Sequence, residues 1–152
     1  MGERILVINP GSTSTKIAVF DGTDEVLNET IRHDADELAG FDQITDQYDF
    51  RTSIITSLLE ERGVDPKGFD AVIGRGGLVK AIPGGVRGVN EAMKKDLSEG
   101  VNGQHASNLG GLIADQIAGE NNAHSLIADP VVVDEMQDCA RLSGHPELPR
   151  KS

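Results

Sequence analysis

Short apolar runs, each about the length of one strand, alternate along the chain with polar and glycine-rich stretches. Residues 5–8 form an unbroken aliphatic run, which is typical of a strand that is buried on both faces. Residues 16–20 and 25–32 follow as two further strands, and the Asp21-Gly22 pair between them is a hairpin signal. The pattern therefore predicts that the chain opens with a three-stranded meander.

After the meander the spacing of the apolar residues becomes helical. One helix is predicted to end at Gly63. A second is predicted to run from a cap at Asn90 through Leu97 and to be closed by Gly100, and a third to start from a cap at Ser107 or Asn108. The first and third of these helices have apolar faces. These faces are Tyr48, Ile54, Ile55, Leu58 and Leu59, and Leu109, Leu112, Ile113 and Ile117.

Two later strands complete the predicted sheet. Residues 69–73 and 125–128 are mainly apolar and are followed by Gly-Arg-Gly-Gly and Asp-Pro, respectively. Residues 131–135 either extend the sheet edge or begin a helix. The order βββαβαβ predicts an α/β domain with a mixed five-stranded sheet and helices on its faces. This order is similar to the ribonuclease-H-like arrangement of acetate kinases, sugar kinases and actin.

Composition narrows the class of protein. The 152 residues carry a net charge of −11 and no basic stripe, which argues against binding to nucleic acid or to an anionic membrane surface. Cys139 is the only cysteine, so an internal disulfide is impossible, as in a reducing compartment. The chain has neither a signal-peptide pattern nor a run approaching the ~20 apolar residues of a membrane span. We therefore expect a cytoplasmic protein.

Candidate chemistry is concentrated where predicted strands end, which is where ligands gather in open α/β sheets. Residues 9–16 offer a glycine, four hydroxyls and Lys16, and such groups can surround phosphate oxygens. The segment is not a P-loop, because Thr15 precedes the lysine and a strand follows. Taken alone, it also has the composition of an ordinary polar surface turn.

Three further positions allow two interpretations each. Arg75 lies between glycines and can hold a carboxylate or phosphoryl group, although a surface arginine is equally ordinary there. Asp129 can hold Mg²⁺ or orient a reacting group, or it can simply cap a turn. His105 can donate to a phosphoryl group or be a structural histidine. Gly76 and Gly77 suggest a backbone that comes close to another group, such as a substrate.

Taken together, these segments resemble the signatures of the acetate and butyrate kinases, and most closely those of the butyrate kinase branch. The opening Ile-Leu-Val-Ile-Asn-Pro-Gly-Ser-Thr-Ser-Thr-Lys is the first signature. The others occupy residues 74–78, 82–85, 105–111 and 129–135 and the tail 143–152. The resemblance covers essentially the whole chain.

The resemblance implies ATP and Mg²⁺ as cofactors, a short-chain fatty acid as substrate, and a homo-oligomer. It implies that Asn9, Arg75 and Asp129 are catalytic, with Asn9 and Asp129 near the metal. It implies two further groups of contacts. Gly11, Ser12, Thr13, Ser14 and Lys16 would bind the phosphates, and Arg75, Gly76, Gly77, His105 and Asn108 would bind the substrate.

The resemblance also implies a second domain of the same fold that carries the nucleotide pocket. Residues 1–152 would then be the N-terminal domain alone, and we expect them to be inactive as a kinase in isolation. Two alternatives stay open at this point: a kinase for branched-chain or other short fatty acids, and a non-catalytic domain that binds phosphate or a partner.

Overall fold

The apolar runs form one mixed sheet in the structure, a computed structural model that describes residues 2–148 and 150. The strands are β1 (Arg4–Pro10), β2 (Ser14–Asp21), β3 (Asp24–Arg32), β4 (Ala71–Arg75), β5 (Val86–Gly88) and β6 (His124–Ala128). The helices are α1 (Ala35–Ala39), α2 (Tyr48–Glu61), α3 (Glu91–Glu99) and α4 (Asn108–Asn121). Short 3-10 helices occupy Ile44–Gln47, Pro66–Gly68 and Asp138–Arg141. Of the predicted tail signature, Pro149, Lys151 and Ser152 lie outside the described residues.

The strand order is β3-β2-β1-β4-β6-β5. Strands β1, β2 and β3 form the predicted antiparallel meander, while β1, β4 and β6 are parallel to one another. The predicted mixed α/β sheet is confirmed, but the described residues form six strands rather than five. Strand β5 was missed because it has only three residues, all exposed, and its sequence lacks an alternating pattern; pairing with β6 alone defines it.

The two faces of the sheet have different environments. Alternate residues of β1 and β2, such as Leu6, Ile8 and Ile17, are fully buried against helices α2 and α4. Their neighbours Val7 and Ile73 lie on the opposite face and are only partly buried. Side chains on successive residues of a strand point to opposite faces, so this pattern separates a packed face from an open one.

The predicted capping residues of α3 are confirmed, and the helix runs to Glu99, two residues beyond the predicted Leu97. The side chain of Asn90 accepts a hydrogen bond from Met93 N at 2.9 Å, and Gly100 ends the helix in the left-handed conformation with φ of 64°. Residues 131–135, in contrast, form neither the predicted strand nor a helix. Their only ladder contact is an isolated bridge between Val133 and Ile82. The single helix predicted before Gly63 is also preceded by the short helix α1, which was not predicted.

A close approach between β4 and α4 fixes the position of the strand that ends in Arg75. A Cβ atom on Gly74 would overlap the carbonyl group of Gly110, and a Cβ on Gly110 would lie 2.5 Å from the carbonyl oxygen of Arg75. Only two glycines allow the helix and the strand backbones to come this close. The end of β4 is therefore held by backbone packing rather than by side chains.

We expect Gly74→Ala to lower the free energy of unfolding by about 2 kcal/mol or more, because the added methyl group meets backbone atoms that cannot rotate away. Urea unfolding of the variant measures this change. Gly119→Ala is the matched control, since the exposed Gly119 lies in α4 and a methyl group added there would meet no other atom within 4 Å. That control should be neutral or stabilising by up to about 1 kcal/mol. Equal effects of the two substitutions would contradict the close-packing explanation.

Candidate functional site

The parallel strands β1, β4 and β6 bring three predicted catalytic residues to one edge of the sheet. Asn9, Arg75 and Asp129 line an open cleft of about 460 Å³ on the partly exposed face. The strand register explains why these residues lie together. Ile8 pairs with Gly74 and Arg75 pairs with Ala128, so the three strands end at the same level of the sheet. The remaining walls are aliphatic. They are formed by Val7, Ile73, Ala128, Pro130 and Val131.

Asp129 occupies the most constrained backbone position in the cleft. Its φ is +42°, in the left-handed region that side-chain-bearing residues rarely adopt. One carboxylate oxygen, Oδ1, accepts a hydrogen bond from Gly85 N at 2.7 Å, and its own backbone N–H donates to Gly85 O at 3.1 Å. Within the described residues the second oxygen makes no hydrogen bond. The carboxylate is thus oriented through one oxygen while the other stays available.

Hydrogen bonds around this carboxylate join two segments that the sequence analysis treated separately, residues 82–85 and residues 129–135. Gly84 N donates to Glu135 Oε1 at 3.1 Å, next to the bond between Gly85 and Asp129. On the other side, Gly76 N donates to the carbonyl of Ala128 at 2.9 Å. These bonds fix the segment around Asp129 against both ends of the connection between β4 and β5, residues 76–85.

The glycines next to Arg75 are explained by contacts inside the chain. A Cβ on Gly76 would lie 2.6 Å from Pro130 Cα, and a Cβ on Gly77 would lie 2.6 Å from Asn108 Cα. The close approach inferred from the sequence exists, and the described partners are Pro130 and Asn108. Whether either glycine also contacts a substrate stays a prediction.

Asn108 and His105 lie away from the side chains that line the cleft. The Asn108 side chain is fully buried and accepts from Leu78 N at 2.8 Å while it donates to Gly103 O at 3.0 Å. Nδ1 of His105 lies 2.7 Å from the Ser107 hydroxyl, so Ser107 bonds to the histidine instead of capping α4 with its side chain. Asn108 therefore links the loop after Arg75 to the start of α4.

The turn between β1 and β2 has its carbonyl groups on the protein side. Ser14 O accepts from Gly11 N at 2.7 Å, and Thr13 O accepts from His33 N at 3.0 Å. Ser12 and Thr13 are exposed, and within residues 2–148 neither their N–H groups nor their hydroxyls form a hydrogen bond. The turn therefore presents unbonded donors to solvent, which is the arrangement that favours an anion.

Lys16 and Asn9 extend this donor surface towards the cleft. The two residues are register partners in the antiparallel pair β1–β2, so their side chains stand on the same face of the sheet. Lys16 is exposed and forms no ion pair within the described part of the chain. The predicted phosphate turn and the predicted catalytic cleft are thus neighbours on one surface.

A buried arginine that was not singled out from the sequence supports the turn from inside. Arg51 of α2 is 1% exposed, and its guanidinium donates to Ser14 O, Ser12 O and the hydroxyl of Thr15 at 3.1, 3.2 and 3.0 Å. Gln47 Oε1 accepts from its Nε and Nη2. The sequence signal for its burial is its position four residues before Ile55, which places it on the apolar side of the helix. Burial lowers the pKa of the Arg51 guanidinium.

His33 completes this buried network. Its Nε2 lies 2.8 Å from the Thr15 hydroxyl, whereas its Nδ1 is buried and has no hydrogen-bond partner within the described residues. Burial and the nearby charge of Arg51 lower the pKa of His33, and Glu37 opposes the shift. A protonated imidazole would add a second positive charge beside the guanidinium, so the neutral form is favoured.

Comparison with known sequences identifies relatives along the whole chain. Butyrate kinase 2 of Clostridium acetobutylicum is 55% identical over 149 residues, which are 98% of this chain and 42% of that protein. Butyrate kinase 1 of the same organism is 50% identical over 149 residues. A probable butyrate kinase of Clostridium botulinum is 51% identical over 152 residues, or 43% of its length. The chain therefore spans about two fifths of the length of these relatives. No family model matches it.

Comparison with solved structures agrees on the fold. An acetate kinase of Porphyromonas gingivalis superimposes with a TM-score of 0.61 at 14% identity, covering 95% of this chain and 42% of that one. An acetate kinase of Entamoeba histolytica superimposes with a TM-score of 0.55 at 15% identity, covering 95% and 39%. The predicted ribonuclease-H-like fold of the acetate kinases is thereby confirmed. No helix among residues 2–148 is long and apolar enough to cross a membrane.

The lowered pKa of His33 predicts a pH-dependent stability. The unfolded chain takes up a proton at His33 at a higher pH than the folded chain does, so stability falls as pH drops below about 6.5 and reaches a plateau above it. For one proton the slope is at most about 1.4 kcal/mol per pH unit. Urea unfolding between about pH 5.5 and 7.5 measures it.

His33→Gln should remove this slope, and His124→Gln, which alters an exposed histidine at the start of β6, should keep it. The explanation would be wrong if the slope of the His33 variant matched that of the unmodified chain.

Proposed function

We propose that this chain belongs to the butyrate kinases and that the protein containing it transfers the γ-phosphoryl group of ATP to butyrate, giving butyryl phosphate and ADP. The 50–55% identity to butyrate kinases along nearly the whole chain supports this proposal. One observation supports this more than any other: Asn9, Arg75 and Asp129, from the ends of three strands, line a single cleft. Next to that cleft, the turn 11–16 presents unbonded donors. Aliphatic walls beside polar groups suit an acid with a short apolar tail.

The acceptor of this reaction requires no general base. A fatty carboxyl group has a pKa near that of Glu, ~4.3, and is therefore already ionised at neutral pH. It does require alignment with the phosphoryl group and relief from the repulsion between the two anions. Arg75, the predicted arginine of the cleft, can provide both, because its planar guanidinium can bind a carboxylate and a phosphoryl oxygen together.

The donor set fits a shared magnesium site. Asn9 offers an amide oxygen, and Asp129 offers the carboxylate oxygen that is not bonded to Gly85. The described residues contain no group of three or more His, Cys, Asp or Glu side chains that could hold a metal on their own. Mg²⁺ commonly binds one or two carboxylates together with water and nucleotide phosphates, and when bound it neutralises phosphate charge. Asn9 and Asp129 would hold it, with Asp129 acting in orientation rather than in proton removal.

Residues Gly11, Ser12, Thr13, Ser14 and Lys16 would form the phosphate side of the site. Ser12, Thr13 and Lys16 would supply the unbonded donors described above, whereas Gly11 and Ser14 close the turn through the bond from Gly11 N to Ser14 O. Gly76, Gly77, His105 and Asn108 would form the substrate side. Asn108 would do so by holding the loop after β4 through its bond from Leu78 N. The relatives are more than twice as long as this chain, which supports the further proposal that these residues form one domain and that a second domain supplies the nucleoside pocket. We also propose a cytoplasmic homo-oligomer, a proposal that rests on the family resemblance.

Arg75→Ala in the full-length protein should lower kcat/KM for butyrate by about 100-fold or more, since a preorganised cationic donor is lost from the transition state. A coupled assay of ADP formation measures it. Arg87→Ala is the control, because exposed Arg87 lies on β5 and its side chain hydrogen-bonds only to the carbonyl of Pro83 among the described residues. Normal activity of the Arg75 variant would refute the assignment of this cleft.

Asp129→Asn should leave the fold intact, because the amide oxygen can still accept the hydrogen bond from Gly85 N. Turnover should nevertheless fall by about 100-fold, and the Mg²⁺ concentration needed for half-maximal rate should rise, because the charge that orients the metal is lost. Asp138→Asn, which removes an exposed carboxylate elsewhere, serves as the control. Near-normal turnover of the Asp129 variant would exclude a role of this carboxylate in the reaction.

A further inference from the structure

The buried guanidinium of Arg51 has an unusual set of partners. All its donor atoms are used: Nε and Nη2 bond to Gln47 Oε1, Nη1 bonds to Ser14 O and to the Thr15 hydroxyl, and Nη2 also bonds to Ser12 O. No Asp or Glu forms an ion pair with it within residues 2–148, and burial alone shifts its pKa. A buried charge without a counter-ion is unfavourable unless hydrogen bonds compensate it.

These bonds select one orientation of the neighbouring turn. With Thr13 O bonded to His33 N, the carbonyl groups of Ser12, Thr13 and Ser14 are all engaged on the protein side. A carbonyl that rotated outward would repel an anion. It would also leave an N–H group without its partner, that of the Arg51 guanidinium for Ser12 and Ser14 and that of the His33 backbone for Thr13. The same contacts that compensate Arg51 therefore keep acceptors away from the exposed surface of the turn.

We propose that Arg51 is a positioning residue for phosphoryl binding: it fixes the turn 11–16 with its acceptors inward and its donors outward, and it places behind them a positive charge that has no carboxylate counter-ion within residues 2–148. This inference rests on the proposed function, because it assigns the anion on the turn to a nucleotide phosphate. Arg51 itself does not touch that ligand. Its charge acts through a low-dielectric interior, where electrostatic interactions are weakened less than in water.

The first test asks whether Arg51 orders the turn without any ligand. In the 152-residue chain, amide hydrogen exchange is measured for Gly11 and His33, whose N–H groups bond to Ser14 O and Thr13 O. Arg51→Met should accelerate exchange at both amides at least about tenfold more than in strand β4. Leu59→Ala is the matched control, because it removes another fully buried side chain from the same face of α2. It should accelerate these amides and those of β4 alike.

The second test measures binding of sodium tripolyphosphate through the amide chemical shifts of the turn. Arg51→Met should weaken binding at least about tenfold, whereas Arg51→Lys, which keeps the charge, should bind more tightly than the Met variant. Leu59→Ala should bind like the unmodified chain. If the Met variant does not fold, Arg51→Gln replaces it in both tests.

The outcomes separate this inference from the proposed function. Unchanged exchange and unchanged affinity in the Arg51 variants would overturn the positioning role and leave the kinase proposal intact. If the unmodified chain shows no shifts at the turn while the Arg51 variants lose protection there, the ordering role stands and the assignment of the turn to phosphate is wrong. Equal affinity of the Met and Lys variants would overturn the contribution of the charge.

Discussion

The parallel pairing of β1, β4 and β6 is the constraint on which the proposed site depends. At or next to the end of each of these strands lies a residue that is able to bind an anion or a metal, and the parallel register brings the three strand ends to one level. An antiparallel arrangement would send them to opposite edges of the sheet. Helix α4 maintains the arrangement, because its close contact with β4 at Gly74 and Gly110 fixes the strand that precedes Arg75. The cleft is therefore a product of backbone geometry.

The same sheet separates two kinds of polar group. On the open face, Asn9 and Lys16 stand side by side as register partners. On the packed face, Thr15 meets Arg51 and His33 in a network that excludes solvent. Because neighbouring residues of a strand point in opposite directions, Thr15 and Lys16 serve the two sides of one turn. An exposed set of donors and its buried support are thus encoded within a few adjacent residues.

Much of this fold could be predicted from the sequence because its signals are local. The aliphatic run of β1, the Asp21-Gly22 turn and the Asn90 cap each depend on a few neighbouring residues. Strand β5 and the irregular segment 131–135 were not predicted correctly, since pairing with distant residues determines both. Arg51 was missed for a related reason: a charged residue is normally assigned to the surface, and only its contacts with the turn show why it is buried. Roles for Asn9, Arg75 and Asp129 came from a family resemblance, while their proximity required the three-dimensional register.

We propose that the cleft at the ends of β1, β4 and β6, together with the adjoining turn, binds the reacting acyl phosphate. The most direct measurement is a titration of the isotopically labelled chain with butyryl phosphate, followed through the backbone amide resonances. We expect the largest shifts at Asn9, the turn 11–14, Arg75 and Asp129. Shifts confined to the polar groove between α2 and α4, around Ser53 and Gln116, or no saturable shifts at all, would contradict this proposal.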